Sequence, residues 1–308
     1  MCSETAPRLS VLIPCYGTAS LVGRCLESLV PLAGQGVEIV MIDDCSPDGV
    51  SDAIARALSH EAAPLAPYTR VMKNPRNIGL AATRGRLVDE ARGRYIAIAD
   101  SDDFVDARAM LDALDVAETS GTDIVAAPFF TVTGDRVTRN NIPGEYDLNR
   151  LPVHVRAFSL CNKLIRCSFF ADNGLRWFEG LNRWEDLGMT SRIYALDPKI
   201  VTVDYGWYYY SVEPSRVTLS SYSREATVAD RAAIVRHVEA WMAERGLAGK
   251  YKEFLTALKF YAKAGYLRRP VDIKAWRALF PEAKATFTSP RALPLIYRVA
   301  FGVLGCRF

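Results

Sequence analysis

The first 130 or so residues alternate short apolar runs with stretches whose apolar residues recur at helical spacing. Residues 10–14 (SVLIP), Val37–Asp43 (VEIVMID), 70–72 and 95–99 (YIAIA) read as strands. The second and fourth are almost continuously apolar, the pattern of strands covered on both faces. Helical spacing occupies 20–30, 49–59 and 78–90. Strand, helix and strand repeated at this length predict a parallel or mostly parallel sheet with right-handed crossovers. Ligands of such sheets bind beyond the carboxyl ends of the strands, so the polar residues directly after each strand are the ones to inspect.

The pattern weakens between 131 and 152 into Gly, Asn, Pro and Arg, which predicts a surface excursion. Strand, helix and strand resume at 162–168, 183–196 and 200–210. After Tyr222 the spacing is helical, at 225–245, 250–267 and 271–279. The reading is an α/β domain over 1–220 followed by a helical region over 221–308.

Composition narrows the class. A chain of 308 residues holds one large domain, or a domain with a smaller appendage. It is 50% hydrophobic and 24% charged, as an ordinary globular protein is. Lys and Arg number 38 against 35 acids, a net charge of +3, too mild to argue for nucleic acid. The seven cysteines are irregularly spaced without CxxC, which predicts neither disulfides nor a zinc site and fits a reducing, cytoplasmic compartment. The first 16 residues do not read as a signal peptide, and no run reaches the roughly 18 apolar residues of a membrane span. Residues 293–306 are apolar apart from Arg298 and flanked by Arg291 and Arg307. That segment fits the anionic inner face of a membrane, a helix packed on the domain, or a contact between copies of the chain.

Candidate chemistry follows the strands. Asp100-Ser101-Asp102-Asp103 comes directly after the strand at 95–99. Carboxylates there could hold a divalent cation that neutralises a diphosphate, with one aspartate on the metal and the other on a ribose or a metal-bound water. The plainer reading is a turn that caps the helix starting near Asp106. Asp43-Asp44 follows its strand in the same way and could accept hydrogen bonds from a nucleobase imide or a ribose hydroxyl, or merely shape the turn. Pro14 and Tyr16 close the first strand, and Tyr16 could stack on a base. The segment 74–79 (NPRNIG) precedes a helix bearing Arg84, whose forked guanidinium suits a diphosphate; Arg86, Arg92 and Arg94 read as solvated. Glu185-Asp186 opens an apolar-periodic helix, either as a dipole-complementing cap or as a general base for an acceptor hydroxyl.

The order of these motifs carries more than any single one. Residues 10–16 (SVLIPCY), Asp43-Asp44-Cys45-Ser46, Asn77-x-Gly79, Ala91-x-Gly93-x-Tyr95-Ile96 leading to Asp100-Ser101-Asp102-Asp103, then Asn162-Lys163-Leu164 and Glu185-Asp186 resemble the family 2 glycosyltransferases of GT-A fold. More narrowly they resemble bacterial enzymes that build capsular, exopolysaccharide or lipopolysaccharide chains. The likeness covers about residues 8–220.

The resemblance implies a Rossmann-like, mostly parallel sheet flanked by helices, with nucleotide-sugar binding over about 8–130 and an acceptor and base part over about 131–220. It implies inverting transfer from a nucleoside diphosphate sugar, with uridine as the base, to a glycan or lipid-linked acceptor, assisted by manganese or magnesium. Pro14, Tyr16 and Asp44 would hold the base; Asn77, Gly79 and Arg84 would line the nucleotide and diphosphate. Asp100 and Ser101 would meet the ribose side, Asp102 the metal with Asp100 beside it, and Lys163 the diphosphate or acceptor. Asp186 would be the base and Glu185 its partner. Two departures stand out. Only Arg84 survives of the usual Ala-Arg-Asn, here Thr83-Arg84-Gly85, and Ser211 replaces the basic residue that often follows the tyrosine-rich strand, a charge Arg216 could supply from the loop at 215–220.

Rival readings are weaker. A scaffold that keeps the fold without activity would not need Asp102, Asp186 and Arg84. No GxGxxG follows the first strand, Phe104 breaks a DxDx[TV] phosphatase motif, and His60, His154 and His237 make no cluster.

Overall fold

The computed structural model describes residues 6–151, 153, 155–212, 223–267 and 271–284, with single positions 290 and 299. Arg216, His154, the segment 215–220 and, apart from position 299, the segment 293–306 lie outside the described residues. The chain divides into two compact units: Met1–Ile142 with Leu160–Gly180 and Pro198–Arg216, and Pro143–Ser159 with Leu181–Asp197 and Val217–Phe308.

In the first unit β1 (Leu9–Cys15), β2 (Val37–Asp43), β3 (Thr69–Lys73) and β4 (Tyr95–Ile98) alternate with α1 (Val22–Leu29), α2 (Val50–Ser59) and α3 (Leu80–Glu90). After β5 (Phe104–Val105) come α4 (Ala107–Ser120), β6 (Ile124–Ala126), β7 (Phe129–Thr133) and β8 (Arg136–Asn140), then β9 (Lys163–Arg166), α5 (Cys167–Asp172), β10 (Ile200–Thr202) and β11 (Tyr208–Ser211). The main sheet runs β10-β6-β9-β4-β1-β2-β3, parallel except for β9. A smaller sheet runs β5-β11-β7-β8.

Every residue of β1 and β2 is buried, the apolar ones in the core and Ser10 with its hydroxyl donating to Glu38 at 2.6 Å. Each such aliphatic side chain contributes about 1.5–3 kcal/mol on burial, which makes this strand pair a firm base for polar loops at its end. Gly93 admits β4 alongside: a Cβ there would lie 2.5 Å from the Ser10 nitrogen. Because β9 runs antiparallel to β4 and β6, its first residue, Lys163, pairs with Ala126 and falls at the edge where the parallel strands end.

Three sequence expectations needed correction. The weak segment after 131 contains the β7–β8 hairpin, turning at Gly134 with φ 54°; β8 is exposed at all but its last residue, so no apolar alternation betrays it. The single strand at 200–210 is two strands in different sheets. The strand at 162–168 ends at Arg166, where α5 takes over.

The second unit is helical: α6 (Glu185–Ala195), α7 (Arg224–Glu244), α8 (Lys252–Lys263) and α9 (Ile273–Ala278). Phe158 packs on Tyr194 and Phe254 with ring centres 5.9 and 5.8 Å apart, and Phe260 stacks on Trp276. Lys259 bridges Glu239 and Glu282, and burial holds the Lys263 ammonium down to about 8. The expected division near 220 therefore holds only for the C-terminal helices. Segments 143–159 and 181–197 belong with them in the second unit, where α6 packs against α7 and buries every residue from Leu187 to Ala195. No described helix is long and apolar enough to cross a membrane.

Candidate active site

The first unit gathers its polar residues at the carboxyl ends of β1, β2, β3 and β4. The turns after β1 and β2 are tied together: Gly17 N–H donates to Ser46 Oγ (3.1 Å), Ala19 N–H to Asp48 Oδ2 (2.8 Å) and Asp44 N–H to the Cys15 carbonyl (2.9 Å). Pro14 is buried within β1, while Tyr16, just past its end, is 52% exposed.

Asp43 and Asp44 are both buried. Asp43 accepts from Ser46 N–H (2.7 Å) and Ser51 Oγ (2.5 Å) and faces Lys73 Nζ at 3.1 Å. Burial pushes its carboxyl up, but the bonds from Ser51, Ser46 and Lys73 prevail and hold it below the usual carboxylate range. Asp44 accepts from Asn74 Nδ2 (2.6 Å), Ile78 N–H (2.9 Å) and Gly79 N–H (2.8 Å). It thereby organises the loop that carries Asn77 and Gly79 into α3. Gly79, at φ 87°, takes a backbone conformation that side chains disfavour, and its N–H also meets Asn77 Oδ1 at 3.0 Å. Arg76 and Asn77 remain exposed on this loop.

Asn74 opens the segment 74–79, but the sequence alone gives it no role of its own. It is buried, spans Asp44 and Thr83, and follows β3 directly, so its place after a strand was the available signal.

The turn after β4 divides its acids differently. Asp103 is buried, accepting from Tyr208 O–H at Oδ2 (2.5 Å) and Ser211 N–H at Oδ1 (2.7 Å). Burial, helped by the charges of Asp100 and Asp102, pushes its carboxyl up to about 8 against those two donors. Tyr208 Oη also accepts from Asp100 N–H (3.1 Å), so one phenol joins the turn to the small sheet. Ser101 is buried with its Oγ 2.8 Å from Thr18 Oγ1. Asp100 and Asp102 stay half-exposed. Arg84, 4% exposed, donates to Asp100 Oδ1 at 2.9 Å, so its charge is directed at a carboxylate of the turn.

Lys163 is buried at the neighbouring end of β9, its Nζ donating to Asn162 Oδ1 (3.0 Å), whose Nδ2 in turn donates to the Ala127 carbonyl (2.5 Å). The fold thus brings Tyr16, Asp44, Asn77, Gly79, Arg84, Asp100, Ser101, Asp102 and Lys163 to one edge of one sheet.

Glu185 and Asp186 stand in the second unit, in the first turn of α6. The preceding Trp184 has φ 60°, an unusual conformation for an aromatic residue, and its ring lies 4.7 Å under the Arg231 guanidinium. Arg183 beside it pairs with Asp230. Backbone strain held by surrounding contacts is characteristic of functional turns.

A mostly parallel sheet with its polar rim at the strand ends, an acidic turn behind the fourth strand and a small second sheet is the α/β GT-A architecture. Staphylococcus aureus TarS 1–349, solved in complex with UDP, superposes on it with a TM-score of 0.67 at 20% identity, covering 96% of this chain and 88% of that one. The glycosyl transferase family 2 model matches residues 10–174, and the chain belongs to that family; it is a glycosyltransferase. Among its relatives, the succinoglycan biosynthesis protein ExoO of Rhizobium meliloti is 25% identical over 307 residues, 94% of this chain and 84% of that protein. The poly(ribitol-phosphate) beta-glucosyltransferase of Bacillus spizizenii is 26% identical over 209 residues, 66% of this chain and 32% of that protein.

Proposed function

We propose that the chain transfers a sugar from a nucleoside diphosphate, uridine diphosphate in particular, to a hydroxyl of a glycan or lipid-linked acceptor during synthesis of a bacterial surface polysaccharide. The observation that carries this reading is the division of the acidic turn: Asp103 is taken up by Tyr208 and Ser211, whereas Asp100 and Asp102 reach solvent at the strand ends beside an exposed Tyr16. Solved complexes of TarS with UDP and with UDP-GlcNAc, and relatives that act on poly(ribitol-phosphate), support the donor and the polymeric acceptor.

The donor set fits a divalent ion. Among the described residues no three His, Cys, Asp or Glu side chains are placed to hold a metal by themselves. Magnesium-like ions, however, usually take one or two carboxylates and complete their shell with substrate phosphates and water. Asp102, with Asp100, would hold manganese or magnesium, which offsets the charge of the departing diphosphate. The protein's own residues do the rest. Tyr16 offers a ring face for the base, and Arg84 holds Asp100 in place from beneath. Asn77 would border the nucleotide, and Lys163 the diphosphate or the acceptor.

Asp186 takes the acceptor proton as the hydroxyl attacks opposite the leaving diphosphate, which inverts the anomeric centre. Glu185 orients it, and the amino end of α6, where both stand, suits a carboxylate. Asp186→Asn should lower kcat about 10²–10⁴-fold, as loss of a general base does. Near-normal turnover by that variant would remove Asp186 from the role.

The test of the function is diphosphate release from a panel of nucleotide sugars with a glycan acceptor, in manganese and then in chelator. Release from one donor, stopped by chelator, is expected. No release and no nucleotide binding would leave an inactive scaffold as the better reading.

A further inference from the structure

Arg24 lies on α1, outside every motif considered so far, yet it reaches the acidic turn. Its Nη2 donates to the Asp102 carbonyl (3.2 Å) and to Ser211 Oγ (2.6 Å). One guanidinium nitrogen therefore pins the backbone of Asp102 to the last residue of β11. The side chain is exposed, and among the described residues only that nitrogen is hydrogen-bonded, with no carboxylate on Nε or Nη1. Arg84 differs in each respect, being buried and ion-paired to Asp100.

A column of rings sets the position of Arg24. Phe104, Tyr209 and Phe130 are cross-strand partners on β5, β11 and β7. They stack face to face, with centroids 4.9 Å apart at each step and interplanar angles of 11° and 21°. The Arg24 guanidinium carbon closes the column 4.8 Å from the Phe104 centroid. The inner ring faces are used on one another, and the outer face of Phe104 is used on Arg24. The column thus holds a cation beside Asp102. Stacking on an aromatic ring suits the planar guanidinium better than an ammonium.

We propose that Arg24 is a donor-binding residue: it fixes the turn that bears Asp102 and presents its remaining donors to the diphosphate of the nucleotide sugar. This rests on the nucleoside diphosphate reading above. A diphosphate brings several negative charges to a turn that already carries Asp100 and Asp102. Forked charge-assisted bonds from an exposed arginine answer that charge in a way the buried, already paired Arg84 does not.

The experiment is calorimetric titration of uridine diphosphate and, separately, uridine into the full chain and into Arg24→Gln, Arg24→Lys and Ser211→Ala, with manganese present. Arg24→Gln is expected to weaken uridine diphosphate by about 10- to 100-fold while leaving uridine unchanged, the loss of a charge-assisted bond without disturbance of the base site. Arg24→Lys should recover only part of the affinity, and Ser211→Ala should lose about threefold, one of two anchoring bonds being gone. The KM for the nucleotide sugar should rise with the diphosphate Kd, and the unfolding midpoint should stay at the wild-type value. Equal weakening of both ligands by Arg24→Gln, or of neither, would overturn the proposal while wild-type binding upheld the donor reading. Absence of diphosphate binding by the wild type would overturn the donor reading, and this one with it.

Discussion

The turns after β2 and β4 have the same kind of sequence, carboxylates directly behind a buried apolar strand of one parallel sheet. Behind β2 both acids face inward: Asp43 serves Ser46, Ser51 and Lys73, and Asp44 serves Asn74 and two backbone N–H groups. Behind β4 the acids separate. Asp103 turns in toward Tyr208 and Ser211, and Asp100 and Asp102 remain half-exposed. The difference lies in the neighbours. β2 is flanked on one side by β3, whose following loop brings Asn74, Ile78 and Gly79 as donors within reach. Behind β4 the small sheet supplies the two donors of Asp103, while Arg84 of α3 pairs with Asp100 and leaves that carboxylate half-exposed.

This contrast separates residues that build the rim from residues left for a ligand, and substitutions should separate them too. The largest effect is expected from Asp102→Ala. Sugar transfer should fall about 10²–10³-fold, the scale of losing one preorganised charge-stabilising group. Its unfolding free energy should shift by no more than about 0.5 kcal/mol, as for other partly exposed positions. Wild-type turnover in that variant would erase the distinction between the two turns.

Asp44→Ala and Asp103→Ala should behave in the opposite sense. Asp44→Ala removes the acceptor of Ile78 N–H and one of two acceptors from both Gly79 N–H and the buried Asn74 amide, and should cost about 2–4 kcal/mol in urea unfolding. Asp103→Ala strands the Tyr208 hydroxyl and the Ser211 N–H and should cost about 1–3 kcal/mol. A stability loss confined to Asp102→Ala would reverse the assignment of roles.

The smallest effect concerns acid. A carboxylate held below its ordinary pKa in the folded state contributes stability that is present above the unfolded value, about 3.9, and lost as pH falls through the folded value. Asp43 is such a group, through Ser51, Ser46 and Lys73. Asp43→Asn should therefore flatten the decline of the unfolding midpoint below about pH 4. Parallel acid limbs for wild type and variant would show that Asp43 gives no linkage.

Much of this site was legible in the chain. The strands at 10–14, 37–43, 70–72 and 95–99 stand within a residue or two of β1 to β4; the buried β1, β2 and β4 write themselves as mainly apolar runs, whereas the partly exposed β3 shows only as the short 70–72. Placing the functional edge at their carboxyl ends followed from that pattern alone. The hairpin of β7 and β8 was not legible, since β8 is nearly all exposed and carries no period. Neither was the grouping of 143–159 and 181–197 with the C-terminal helices, which depends on what α6 packs against.

What the sequence determined by itself was the alternating α/β framework, the edge where chemistry gathers and the residue types available there. These rest on local periodicity and on chain direction, which one strand and its successor encode. Only the tertiary structure decided which acids face solvent and which are held, because donors such as Tyr208, Ser211 and Asn74 come from distant strands and loops. It also placed Arg24 at the acidic turn: an arginine on a helix surface reads as solvated until three strands of another sheet stack their rings beneath it.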